Sequence, residues 1–237
     1  MPAWEEILCN LTDIRLSPDQ LERFSIYERE LLDWNARVNL TAIREAEGVR
    51  LRHFVDSLVC ALAFPDGPPA SLVDVGTGAG FPGLPLKILW PDMQLTLVES
   101  VGKKLRFCEH LVEKLGLEGV SLINARAETI GQDPAHRERY QAAVGRAVAP
   151  LPVLAEFLLP LVRPGGLALM PRGSDTPQEA EAATGAIRKL GGDPGKLLPI
   201  QIPGVEGQRY LLVLHKKART PALYPRLPGT PAKNPLS

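Results

Sequence analysis

The chain has little cysteine, no net charge and no long apolar run, and each shortage narrows what it can be. Cys9, Cys60 and Cys108 are the only cysteines in 237 residues. They lie far apart in apolar or amphipathic stretches, so they read as reduced, mostly buried thiols and not as a disulfide framework. Lysine plus arginine balances aspartate plus glutamate at 27 each, so total charge singles out no polyanionic partner. The distribution is less even. Met1 to Asp33 holds eight acids and three arginines, whereas Lys216 to Ser237 holds five basic residues and no acid. Local charge decides contact with polyanions, so the balanced total excludes none. No apolar run is long enough to cross a bilayer, and Glu5 and Glu6 stand where a secretory leader would carry basic residues. A cytoplasmic, soluble chain without a membrane partner is expected. The four histidines show no metal-ligand spacing, so no metal site is expected.

What is present reads as an α/β protein. Apolar content of 45% and charged content of 23% are ordinary for a globular chain of this length. Ser17-Pro18-Asp19-Gln20 is a helix start, with a capping serine, proline at the first position and glutamine three residues on. Leu21, Phe24, Tyr27, Leu31, Trp34 and Val38 then recur at helical spacing. A second helix is expected over 49–64, followed by the turn-forming stretch 65–69. From Ser71 the rhythm changes. Strands are expected at 72–75, 95–98, 120–123, 142–144 and 167–170, with helical patterns between them. Such alternation implies a parallel sheet with helices on both faces. The strand-like segments 197–202 and 210–214 are separated by a glycine-rich turn, which makes the final pair an antiparallel hairpin. Residues 1–66 thus form an N-terminal helical cap, 67–217 the α/β domain, and 218–237 an extended, basic, proline-rich tail.

The most informative stretch is Asp74-Val75-Gly76-Thr77-Gly78-Ala79-Gly80-Phe81. A strand that breaks into glycines before a helix lets a cofactor lie against bare backbone. A dinucleotide fingerprint would place its third glycine at position 81, where this chain has Phe81. The strict alternation of Gly76, Gly78 and Gly80 behind Asp74 instead resembles the first motif of class I S-adenosyl-L-methionine methyltransferases. That resemblance implies a Rossmann-like, seven-stranded, mostly parallel sheet with an antiparallel final strand. Glu99 ends the second strand, where an acid accepts ribose hydroxyls; otherwise it is a surface carboxylate at a strand end. Ala127 and Glu128 follow the third strand, beside the expected adenine; Glu128 alone also reads as an acid answering a helix dipole.

The fourth strand closes on Gly145-Arg146-Ala147-Val148-Ala149-Pro150, again informative by absence. It lacks the Asp/Asn-Pro-Pro-aromatic run of exocyclic-amine methyltransferases and the nucleophilic cysteine that carbon methylation of cytosine needs. An acceptor with its own lone pair, such as a ring nitrogen, needs neither. Arg146 reads either as a clamp on cofactor or substrate or as a structural salt bridge. No catalytic acid or base is assigned.

Further segments extend the likeness: Trp34-Asn35 with Asn39-Leu40-Thr41, Arg52-His53-Phe54-Val55-Asp56-Ser57, Leu84-Pro85-Leu86 after the glycine turn, Glu99-Ser100 with Gly102-Lys103-Lys104, Arg146-Ala147, and Tyr224-Pro225-Arg226 with Gly229-Thr230-Pro231. With these the chain resembles the bacterial small-subunit ribosomal RNA guanine-N7 methyltransferase G family, also called glucose-inhibited division protein B. The resemblance implies methyl transfer from S-adenosyl-L-methionine to N7 of a guanine in small-subunit ribosomal RNA, by a monomer acting on the RNA or the small subunit. Cofactor contacts would fall on Gly76, Gly78, Phe81, Glu99, Ala127, Glu128 and Arg146. Lys103, Lys104, Arg172, Lys216, Lys217 and Arg226 are the candidates for RNA contact; Lys103 and Lys104 otherwise read as a solvated helix start, and the tail residues either fold against RNA or pack across the domain. Arg172 departs from the family, which is expected to carry lysine there. His53 and Asp56, three apart on one helix face, read as a structural pair holding the cap over the cofactor site. Three alternatives are a nicotinamide dehydrogenase, which Phe81 argues against, a non-catalytic ribosome-assembly factor, and a small-molecule methyltransferase.

Overall fold

Two N-terminal helices, α1 (Trp4–Thr12) and α2 (Pro18–Asn35), begin the computed structural model, which describes residues 3–237. The expected cap of α2 is present. Gln20 N donates to Ser17 Oγ at 3.3 Å, and Ser17 N donates to Gln20 Oε1 at 2.9 Å. The Gln20 amide also donates to Ile88 O and Leu89 O, so one residue closes the helix start and ties the cap to the main domain. Phe24, Tyr27 and Leu31 form the buried stripe, with Asn35 beneath them. Asn35 is a buried turn-former: its Oδ1 accepts from Leu40 N and Thr41 N, and its Nδ2 donates to Thr41 O.

The second cap helix differs from the continuous one expected over 49–64. It starts as α3 (Ala46–Val49), widens to a π-helical stretch over Arg50–Val55, returns to α geometry in α4 (Asp56–Leu58) and tightens to a 3₁₀ turn over Val59–Ala63. A π-helical stretch shifts the side-chain phase and is frequent at functional sites. Here it sits where His53 and Asp56 turn toward the main domain.

The main domain is a seven-stranded sheet in the order β3-β2-β1-β4-β5-β7-β6. The strands are β1 (Ser71–Val75), β2 (Gln94–Val98), β3 (Val120–Ile123), β4 (Tyr140–Val144), β5 (Val162–Arg172), β6 (Gly192–Ile200) and β7 (Arg209–Lys216). β1 to β5 run parallel, and β7 lies antiparallel between β5 and β6. The helices between them are α5 (Gly83–Leu89), α6 (Gly102–Lys114), α7 (Ala127–Gln132), α8 (Leu151–Leu158), α9 (Thr176–Ala182) and α10 (Thr184–Lys189). The strand order reverses between β1 and β4, which opens a crevice at their carboxyl ends. Each sheet face has its own core. The cap covers one through Phe24, Tyr27 and Phe54, packed with Leu84 of α5 and Phe107 of α6; α8 covers the other through Leu154 and Leu158. Cys60 and Cys108 are buried in this packing, and burial raises both thiol pKa values. No helix among the described residues is long and apolar enough to cross a membrane.

The end of the chain corrects the expectation of an extended tail. After β7 it folds back along α7 and α8 and closes with α11 (Thr230–Lys233). Proline-rich segments expose carbonyls without matching N–H groups, and here side chains meet them. Arg137 donates to Tyr224 O at 2.6 Å and to Thr220 O at 2.8 Å, and Gln132 donates to Pro225 O at 2.6 Å. Arg226 pairs with the fully buried Glu156 at 2.6 Å.

Candidate active site

The glycine turn is shaped by contacts that leave no room for side chains. Gly76 (φ +69°) donates to Val98 O at 2.8 Å, and a β-carbon on it would meet Val148 at 2.7 Å. A β-carbon on Gly80 (φ +94°) would collide with Leu84 and with the hydroxyl of Tyr27. That hydroxyl donates to Ala79 O at 2.6 Å, so the cap helix α2 reaches into the turn. Burial raises the Tyr27 pKa well above its ordinary value, which keeps it a donor. Gly78 is the open point, since a β-carbon there would meet nothing nearer than Gly76 O at 4.0 Å.

Two acids support the turn from below. Asp74 Oδ2 accepts from Thr77 Oγ1 at 2.7 Å and Gly83 N at 2.8 Å, while Oδ1 is buried without a partner. Burial pushes its carboxyl up to about 6, against the pull of those two bonds. Glu99 Oε2 accepts from Gly78 N at 3.0 Å, and Oε1 accepts from Val101 N at 2.8 Å. Glu99 therefore stands at the cleft floor between the glycine turn and the start of α6.

Arg146 joins this floor to the cap. Its Nη1 pairs with Asp56 Oδ2 at 2.6 Å, and its Nη2 lies 3.2 Å from His53 Nδ1. Its guanidinium carbon sits 5.2 Å from the Phe81 ring centroid. Phe81 is sandwiched between His53 and Tyr27, at centroid distances of 4.4 and 5.1 Å. Burial and the Arg146 charge push His53 down to about 3, so it is neutral at pH 7. Arginine has no acceptor, so His53 Nδ1 accepts and Nε2–H faces Thr41 Oγ1 at 2.8 Å. His53 and Asp56 thus meet through Arg146 and not through each other. Asp56 Oδ1 also holds Arg209, at 3.1 Å.

Gly76, Gly78, Phe81, Glu99, His53, Asp56, Arg146 and Arg209 line one open cleft of about 1070 Å³, with Arg52, Lys104, Val148, Arg172 and Glu179; Tyr27 and Asp74 lie behind it. Of the expected RNA contacts, Lys104 and Arg172 line it, while Lys103 and Lys217 are exposed outside its lining. Lys216 corrects its expectation. It is buried at the end of β7, donates to Leu159 O at 2.6 Å and lies 3.5 Å from Glu138. Burial pushes its ammonium down to about 8. Arg226 is likewise bound to Glu156. Ala127 and Glu128 lie outside the cleft lining, and Glu128 Oε1 accepts from Gly229 N at 2.8 Å, so its carboxylate faces the C-terminal segment. Sequence reading missed Tyr27, Arg52, Arg209 and Glu179. The Tyr27 hydroxyl on an otherwise apolar face and Arg52 at the head of the His53–Ser57 segment were usable signals; Arg209 and Glu179 stand in no motif.

A mostly parallel sheet with this strand order and an antiparallel β7, a bare glycine turn after β1 and an acid after β2 define an S-adenosyl-L-methionine-dependent methyltransferase of class I. The family model described as GidB, rRNA small subunit methyltransferase G, matches residues 20–201, and the chain belongs to that family. Ribosomal RNA small subunit methyltransferase G of Roseiflexus sp. (strain RS-1) is 52% identical over 223 residues, 94% of each chain. Its counterpart in Dehalococcoides mccartyi (strain CBDB1) is 47% identical over 223 residues, again 94% of each. Among solved structures, a ribosomal protein L11 methylase from Lactobacillus delbrueckii subsp. bulgaricus shares the fold at 14% identity. Its TM-score is 0.54, covering 70% of this chain and 79% of that one. The reaction follows from the family: methyl transfer from S-adenosyl-L-methionine to N7 of a guanine in small-subunit ribosomal RNA.

Proposed function

We propose that the cleft over Gly76–Phe81 is where this transfer takes place, with Gly76, Gly78, Phe81, Glu99 and Arg146 holding the methyl donor and the outer rim holding RNA. The carrying observation is that the glycine turn, the Glu99 carboxylate and the Arg146 guanidinium line one cleft. The residues fit the donor. The turn is bare at Gly78, Glu99 supplies acceptors for ribose hydroxyls, and Arg146 supplies a cation for a carboxylate. When bound, S-adenosyl-L-methionine supplies a methyl made electrophilic by its sulfonium. Ala127 contributes through its backbone at the adenine end, and Glu128 through the bond that anchors this stretch to Gly229.

The protein has little proton chemistry to perform. Guanine N7 carries a lone pair and no proton, so no general base is required. His53 is neutral, with one nitrogen facing Arg146 and the other Thr41, and it acts by fixing Arg146. Asp56 does the same from the other side. Catalysis is therefore alignment in a fixed field. Arg52, Lys104, Arg172 and Arg209 give the cleft its positive rim for phosphates next to a base turned out of its stack. Lys103 and Lys217 extend that charge outward. The enzyme works as a cytoplasmic monomer on the small subunit or its RNA.

Ligand-dependent melting tests the site. S-adenosylhomocysteine at one hundred times its dissociation constant stabilises the chain by about 2.7 kcal/mol, and Glu99→Ala weakens that response. Stabilisation by NAD with none by S-adenosylhomocysteine would sink the assignment.

A further inference from the structure

N7 does not by itself distinguish guanine, because adenine presents the same acceptor. An enzyme that methylates N7 of guanine must therefore read another edge of the base. The purines differ most on the Watson–Crick edge, where guanine offers the N1–H and N2 amine donors and adenine offers an acceptor at N1. A carboxylate accepts only, so it fits the first and repels the second.

Four carboxylates line the cleft, and three are poorly placed for this task. Asp56 is shared by Arg146 and Arg209. Glu99 accepts from two backbone amides at the floor. Asp175 is exposed on the rim and accepts from the Ser174 hydroxyl at 2.9 Å. Glu179 differs. Its Oε2 accepts from Arg172 Nη2 at 2.5 Å, while its Oε1 makes no hydrogen bond among the described residues, and the side chain is 38% exposed. Arg172 is itself fixed, donating through Nη1 to Ala149 O at 3.0 Å. Contacts run outward from the glycine turn: Val148 packs on Gly76, the next residue Ala149 binds Arg172, and Arg172 binds Glu179. An open acceptor thus stands on a rigid mount across the loop that follows β4.

We propose that Glu179 selects guanine, its carboxylate accepting from N1–H and the N2 amine while N7 faces the methyl-donor end of the cleft. Arg172 is the positioning residue that aims it. This rests on the cleft being the site of N7 methylation, and the test separates the two. Small subunits are reconstituted with guanosine or inosine at the target position; inosine keeps N7 and N1–H and lacks the amine. Wild type is expected to lose about tenfold in kcat/KM on inosine. Glu179→Gln is expected to lose at least tenfold on guanosine, to show no further loss on inosine, and to retain S-adenosylhomocysteine affinity and Tm. An equal loss by the variant on both templates, or no loss on guanosine, overturns the role of Glu179 while leaving the site assignment intact. Failure of wild type to methylate N7 on guanosine overturns both.

Discussion

Asp74 is buried behind the glycine turn and His53 is half-buried at the cleft, and desolvation gives them opposite consequences for stability. Asp74 has one bonded oxygen and one orphaned oxygen, and its carboxyl is raised from an ordinary 3.8 to about 6. A raised acid favours folding while protonated, so its contribution is full below about pH 4 and is lost as pH rises through 6. His53 is depressed from 6.5 to about 3. Its contribution is full above about pH 6.5 and is lost as pH falls toward 3, because the unfolded chain then binds the extra proton. Urea denaturation from pH 3 to 8 checks both. The stability difference between wild type and Asp74→Asn should fall between pH 4 and 6, and that between wild type and His53→Gln should rise between pH 3 and 6.5. Flat difference curves would contradict the environments described for these side chains.

Among the elements, the C-terminal segment departs most from expectation. An acid-free, proline-rich stretch reads as solvated because its partners lie far upstream: Glu156 is 70 residues from Arg226, and Glu128 is 101 from Gly229. Local pattern carries no trace of such pairs. Removing one partner of a buried ion pair is costlier than removing both, because the remaining charge stays desolvated. Arg226→Ala should therefore destabilise the chain by about 3 kcal/mol in thermal or urea unfolding. Arg226→Ala with Glu156→Leu should recover part of that loss. A single variant as stable as wild type would mean the segment is not docked in solution. The π-helical stretch at Arg50–Val55 was equally hidden, since six residues are too few for the apolar spacing to tell π from α geometry.

Across the whole molecule, what could be read in advance was what is local. The βα alternation from Ser71 and the spacing of Gly76, Gly78 and Gly80 announced the sheet and the turn, because each strand and each glycine answers to its neighbours. Glu99 and Arg146 were readable as strand-end residues, and both line the cleft. Arg209 and Glu179 reach the same cleft from β7 and α9, and Tyr27 backs the glycine turn from α2, a convergence that only the folded chain creates. It also moves the expected RNA contacts. Lys216 and Arg226 hold the C-terminal segment to the domain, while Lys104 and Arg172 of the expected set line the cleft. The central claim is that this cleft methylates N7 of one guanine. Its most direct test is incubation of the protein with labelled S-adenosyl-L-methionine and small ribosomal subunits, followed by mapping of the label. The account predicts a single N7-methylated guanine, lost with Arg146→Ala. Label on protein or small metabolites with unmodified ribosomal RNA would contradict it.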